Sequence, residues 1–192
     1  KLIEQILSFQ TEQGGFGLFD NKSSSIDMTG MALQALAPYY QDDKYPKVKT
    51  AVDKTLDYLK KQKTENAGYL DGGKENSCTT AQVLTALTAL KIDPMNPDTG
   101  FTSNENNIVK NLHSYKTEDG FGWQDGKQTN GMAVQQVTYA LEAYRRFAEK
   151  ENSLYDITDT KAQTPEPESG HVVISVRLLI SLETFKYLSN LI

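Results

Sequence analysis

One cysteine, two histidines and one tryptophan are the side chains of this 192-residue chain with the most chemistry to offer. Cys78 stands at the start of a helical pattern, where a helix dipole could lower its thiol pKa. No histidine is near it in sequence to act as a base, so a small buried cysteine is the simpler reading. His113 sits among polar neighbours and His171 has no Cys or acidic partner at ligand spacing, so neither is assigned a metal. The stretch "DPMNPDTG", 93–100, gathers carboxylates without the ordered spacing of a calcium loop and reads as a connection. Two similar phrases, "EQGGFGLFD" at 12–20 and "EDGFGWQDG" at 118–126, place glycines after helical stretches as phosphate loops do. No Lys-Ser/Thr follows either and no strand precedes them, which disfavours phosphate binding. Trp123 lies in a loop and is the best single candidate for a ligand contact.

These groups must be positioned by an ordinary globular chain. Its hydrophobic content of 38% suits one domain with a full-sized core. A net charge of −5 argues against non-specific nucleic-acid binding and attraction to anionic lipid. No apolar run is long enough to insert in a membrane. A single cysteine excludes an internal disulfide framework. The opening "KLIEQILSFQ" has neither an initiator methionine nor a signal-peptide pattern, and the expectation is a piece of a longer protein.

Self-similarity organises the rest. A glycine-aromatic pair recurs at Gly15-Phe16, Gly68-Tyr69 and Gly120-Phe121, and an Ala-Leu pair follows at Ala35-Leu36, Ala86-Leu87 and Ala140-Leu141, a period of about fifty residues. Each unit opens with an amphipathic pattern: Leu2, Ile3, Ile6, Leu7 and Phe9; Val48, Val52, Leu56 and Leu59; Ile108, Val109, Leu112 and Tyr115. The glycine is expected to close that helix in a left-handed cap, with the ring folding back on its last turn. A polar loop leads to a second helix rich in alanine, able to approach its neighbours closely on several sides. The expectation is all-α: three outer/inner helical hairpins that bury their faces by stacking.

The pattern Gln10-x3-Gly14-Gly15-Phe16 resembles the QW-type motif of the terpenoid cyclase and protein prenyltransferase superfamily, whose fold is the α/α toroid. The resemblance covers about residues 1–150. The second unit keeps Tyr58-Leu59 and Gln62 with one extra residue before Gly68-Tyr69, and the third has Lys116 at the glutamine position. The chain lacks the Asp-x-Asp-Asp acid of the cyclases. Asn76-Ser77-Cys78 lacks the aspartate that prenyltransferases place two residues before their zinc cysteine. Cys78-Thr79-Thr80-Ala81-Gln82 sets its glutamine at i+4, wrong for a complement-type thioester. Cobalamin carriers and bacterial surface proteins with a toroid domain remain consistent with the residues.

In that superfamily the loops entering the inner helices line one mouth of the toroid. The resemblance therefore points to Phe19, Asp20 and Asp27, to Tyr69, Asp71 and Asn76, and to Trp123, Gln124, Asp125 and Asn130 as ligand-binding candidates. Aromatics beside carboxylates and amides suit a small molecule, glycan, peptide or corrinoid. The competing structural roles are hinge packing for Phe19 and Tyr69 and helix capping for Asp27, Asn76 and Asn130. The implied function is a non-catalytic ligand-binding or adhesion module of a bacterial surface or secreted protein, with the cytoplasm left open, no catalytic or metal residue and no cofactor. The alternatives are a fragment of a prenyltransferase- or cyclase-type enzyme, its pocket lined by Met132 and Tyr139, or a cobalamin-binding toroid.

Family toroids close with more than three hairpins, so a partial toroid leaves two apolar edges, to be covered by missing repeats, another chain or the tail. The repeat domain is placed at 1–157 and a Pro/Glu/Thr-rich linker at 158–170. Then "HVVISVRLLISLETFKYLSNLI", 171–192, reads as a docked helix or the opening of a β-domain.

Overall fold

Pro46 is pre-organised for the first turn of a helix, and Val48, Val52, Leu56 and Leu59 follow it at helical spacing. In the computed structural model, which describes residues 1–156 with Thr158 and Asp159, they form one face of α3 (Pro46–Gln62) and are all buried. The other amphipathic stretches give shorter helices, α1 (Leu2–Ser8) and α5 (Ile108–His113). The alanine-bearing stretches give α2 (Ile26–Leu36), α4 (Ser77–Ala89) and α6 (Gly131–Ala148). Among the described residues the chain is all-α apart from a two-stranded hairpin, β1 (Leu70–Asp71) with β2 (Lys74–Glu75). The remainder of the expected linker and the whole 171–192 tail, His171 included, lie outside the described residues.

The central element is α4. It packs against α2 on one side and α6 on another, with α5 also against it, and every residue from Ser77 to Thr88 is buried. A helix so enclosed cannot be amphipathic, and its sequence alternates small and apolar residues all round. The first unit is looser than its sequence suggests: α1 has no buried residue and Leu2 is 76% exposed. Its packing is against α3.

The recurring corner is built the same way three times. A threonine after the outer helix takes its backbone N–H to the carbonyl of the hinge glycine: Thr11 to Gly15, Thr64 to Gly68, Thr117 to Gly120. The following aromatic residue then accepts, at its carbonyl, the N–H of the residue that caps the inner helix: Phe16 from Ser25, Tyr69 from Asn76, Phe121 from Asn130. Each of those residues in turn accepts through its side chain from the third residue after it: Met28, Thr79 and Ala133. In the first two units a threonine four residues past the cap closes the corner, Thr29 Oγ1 accepting from the Phe16 N–H at 2.8 Å and Thr80 Oγ1 from the Tyr69 N–H at 3.1 Å. In the third unit that position is Val134.

At the first two corners glycine is required for a different reason from the expected one; at the third, Gly120 does take a positive φ, 156°. The outer helices end well before the glycine, α3 at Gln62, six residues ahead of Gly68, and neither Gly15 nor Gly68 takes a positive φ. What excludes a side chain is proximity. A Cβ at Gly15 would lie 2.6 Å from the Tyr58 ring and 2.7 Å from Ser24 Oγ, and one at Gly68 would lie 2.6 Å from Asn111 Nδ2. Both Tyr58 and Asn111 belong to the next unit's outer helix, so the glycine lets neighbouring hairpins nest. Hydrogen bonds follow the same seam. Thr55 Oγ1 donates to the Gly14 carbonyl at 2.7 Å, Asn111 Nδ2 donates to the Asn66 carbonyl at 3.1 Å, and Gln10 Nε2 donates to the Ala51 carbonyl at 2.8 Å.

Candidate functional site

The loops that enter α2, α4 and α6 all meet the N-terminal ends of these helices, and the second and third loops each lean on the preceding unit. The Ser77 N–H donates to the Trp123 carbonyl at 2.8 Å, and Ser77 Oγ donates to the Gly122 carbonyl at 2.7 Å. The β1 strand likewise packs on α2. These contacts form a rim running from the head of α2 past the Asp71 hairpin to the Trp123 loop.

The ten residues pointed to by the resemblance separate into three groups on this rim. Phe19 and Trp123 project outward, 87% and 48% exposed, and Gln124 and Asp71 are exposed beside them. Asp20 and Asp125 are engaged in turns: Oδ1 of Asp20 accepts from the Lys22 N–H and Oδ1 of Asp125 from the Lys127 N–H, at 2.9 and 3.0 Å. The remaining members serve the corner itself. Asn76 and Asn130 cap α4 and α6, while Tyr69 is a buried hinge ring whose hydroxyl has no hydrogen-bond partner among the described residues. Hinge packing, weighed from the sequence for Phe19 and Tyr69 alike, applies to Tyr69 and to Phe16; Phe19 is free of it. Asp27 is not a cap. Ser25 has that role, and Asp27 lies in the first turn of α2.

Asp27 belongs instead to a polar patch spanning the three small-residue helices. Burial raises its carboxyl above the usual aspartate range; the Thr79 hydroxyl opposes that shift and the Asp71 carboxylate adds to it. Its Oδ1 and Thr79 Oγ1 are both buried without a hydrogen bond of normal geometry. The neighbouring Cys78 thiol is pushed up by burial, helped by Asp27 and opposed by Ser77. That is the reverse of thiolate activation, and the cysteine is buried as its sequence context suggested.

Further along the same face a hydrogen-bonded chain crosses from α2 to α6. Gln34 Nε2 donates to Gln82 Oε1 at 2.9 Å, and Gln82 Nε2 donates to the Tyr139 hydroxyl at 2.6 Å. Gln82 Nε2 also approaches Gln136 Oε1 at 3.4 Å. The Tyr139 hydroxyl is pushed up to about 12, chiefly by burial and then by the nearby Tyr155. Tyr155 itself donates to Gln34 Oε1 at 3.0 Å. Tyr139 was expected only as a pocket wall and Gln82 was weighed only as a thioester partner, while Gln34 and Gln136 were not singled out in the sequence. Their signal was available as polar residues inside otherwise apolar, alanine-rich helices, where a buried amide needs a partner.

An open depression of about 480 Å³ lies between the first corner and α3, lined by Glu12, Lys54, Asp57 and Lys61 among others. Its mixed charges neutralise one another. No cluster of three or more His, Cys, Asp or Glu able to hold a metal occurs among the described residues, and no helix among them is long and apolar enough to cross a membrane. No protein-family model matches the chain, and no curated protein matches it.

Proposed function

We propose that this chain is a toroid-type repeat domain that works as a non-catalytic ligand-binding or adhesion module of a bacterial surface or secreted protein, using the rim of loops above α2, α4 and α6. The observation that carries this reading is the division of labour on the rim. Asp20, Asp125, Asn76 and Asn130 are spent on turns and caps, whereas Phe19 and Trp123 are held out to solvent on loops that those turns fix. Exposed rings on rigid loops lose little entropy on binding, which suits them to stack on a sugar face, a peptide or a corrinoid edge. The toroid part of the reading is supported by the threefold corner and by the row α2, α4, α6.

Trp123 is the sole tryptophan, so its fluorescence reports on the rim directly. Titration with glycans, peptides and cobalamin is expected to give a saturable change with one of these classes, weakened about tenfold or more by Phe19→Ala. A flat response to all three classes would remove the rim as the binding site. One observation favours a second reading, an enzyme of the prenyltransferase or cyclase type: the partly buried Asp27, whose raised carboxyl suits acid chemistry, sits beside Cys78 and Tyr139. Stoichiometric zinc uptake that is lost in Cys78→Ala would favour it over a binding module.

A further inference from the structure

After α6 the chain turns back and lies over the polar face just described. Its first hold is electrostatic. Arg146, only 5% exposed, donates from Nε to the Asn152 carbonyl at 2.9 Å and pairs with Asp159 at 2.6 Å and Glu151 at 3.1 Å. Arg145 adds Glu151 at 2.9 Å, alongside Glu142 and Glu149 of its own surroundings. The second hold is Tyr155, whose hydroxyl reaches across to Gln34 on α2 and lies near Tyr139 on α6. A segment that leaves α6 therefore bridges to the opposite helix of the row, over Gln82 of α4.

The contacts have the character of a ligand in a site. The partners on the helices are preformed: Gln34, Gln82 and Tyr139 bond to one another, and Gln34 keeps an acceptor turned to the phenol. The segment's own contribution is a carboxylate, a tyrosine and a carboxylate, Glu151, Tyr155 and Asp159, spaced four residues apart. Tyr155 is nevertheless 69% exposed, so water can compete for its hydroxyl, and a second segment of the same chemistry could replace it at small cost. A replacement without carboxylates would strand the buried Arg146, which selects against it.

We infer that the face of α2, α4 and α6 around Gln34, Gln82 and Tyr139, with Arg145 and Arg146 at its edge, is a docking site for an acidic, tyrosine-bearing polypeptide segment, and that the stretch carrying Glu151, Tyr155 and Asp159 is its built-in occupant. This rests on the reading of the chain as a binding module and names a partner for it. The occupant lowers apparent affinity for a partner in trans, because a tethered competitor acts at a high effective concentration.

The test uses the full chain and a labelled synthetic peptide of residues 150–160, KENSLYDITDT. A variant with Glu151→Ala, Tyr155→Ala and Asp159→Ala, which removes the segment's three side-chain holds, is expected to bind the peptide saturably, and the unaltered chain about tenfold or more weakly. Replacing the peptide's tyrosine by phenylalanine, or adding Gln34→Leu to the freed chain, is expected to weaken binding several-fold, with circular dichroism confirming that each variant keeps its helices. No binding to the freed variant, equal binding to the unaltered chain, or indifference to Gln34 and the peptide hydroxyl would each overturn the inference. Trp123 fluorescence separates this from failure of the rim reading: a rim ligand that shifts Trp123 while the peptide does not bind leaves the module standing and removes only its acidic partner.

Discussion

At the scale of single residues, Asp27 is the clearest case of a group kept at a cost. In the first turn of α2 the helix dipole favours its charge, by roughly 0.3–1 kcal/mol at an exposed site, yet burial and Asp71 prevail and its carboxyl is raised. A raised carboxyl means that the folded chain holds its proton more tightly than the unfolded chain does. Stability from this site is therefore present at low pH and declines as pH rises from the ordinary value of 3.8 through the raised one. Asp27→Asn is expected to raise the melting temperature at neutral pH, with the advantage fading as pH falls below about 4, where both residues are neutral. A lower melting temperature for the variant at pH 7 would show that the dipole and Thr79 outweigh burial. Asp27 was legible in the sequence as a polar residue at the head of a small-residue helix; its energetics were not, because Thr79 and Asp71 reach it from the second unit.

Among elements, the decisive contact is the one between α2 and α4. Gly30 faces Gln82 so closely that a Cβ there would lie 2.9 Å from the Gln82 Cβ and 3.0 Å from its backbone carbonyl atoms. Gly30→Ala sets two effects in opposition. Alanine in a helix interior gains about 1 kcal/mol over glycine, while forcing a methyl group against backbone costs typically about 1–3 kcal/mol. Overpacking is expected to win, with a net loss of about 1 kcal/mol read by urea denaturation. A stabilised variant would mean that α2 and α4 can separate freely. The wish of these helices for small residues was visible in their alanines. Which small residue makes the closest approach was fixed only by the crossing of the two helices.

For the whole molecule, unequal burial along the row predicts unequal local stability. The central α4 is enclosed from Ser77 to Thr88, whereas α1 has no buried residue and meets α3 on one side. In a stack of hairpins each unit draws stability from its neighbours, and α4 packs against α2, α5 and α6 where α1 packs against α3. Native-state hydrogen exchange is expected to be slowest in α4 and fastest in α1, by several orders of magnitude. Equal protection of α1 and α4 would argue for a single cooperative block without repeat character.

By itself the sequence determined the helical content, the alternation of amphipathic and small-residue helices, and the corner that recurs at Gly15, Gly68 and Gly120. These depend on local periodicity and on residues a few positions apart, and such physics repeats whenever the residues do. Tertiary structure alone decided that Gly15 and Gly68 serve contact between units, that Asp20 and Asp125 are used up in turns while Phe19 is free, and that Gln34, Gln82, Tyr139 and Tyr155 meet. The last of these joins residues more than a hundred positions apart through hydrogen bonds that carry no periodic signal. Only the side-by-side packing of three helices, and the turn that brings the chain back after α6, puts their donors and acceptors within reach.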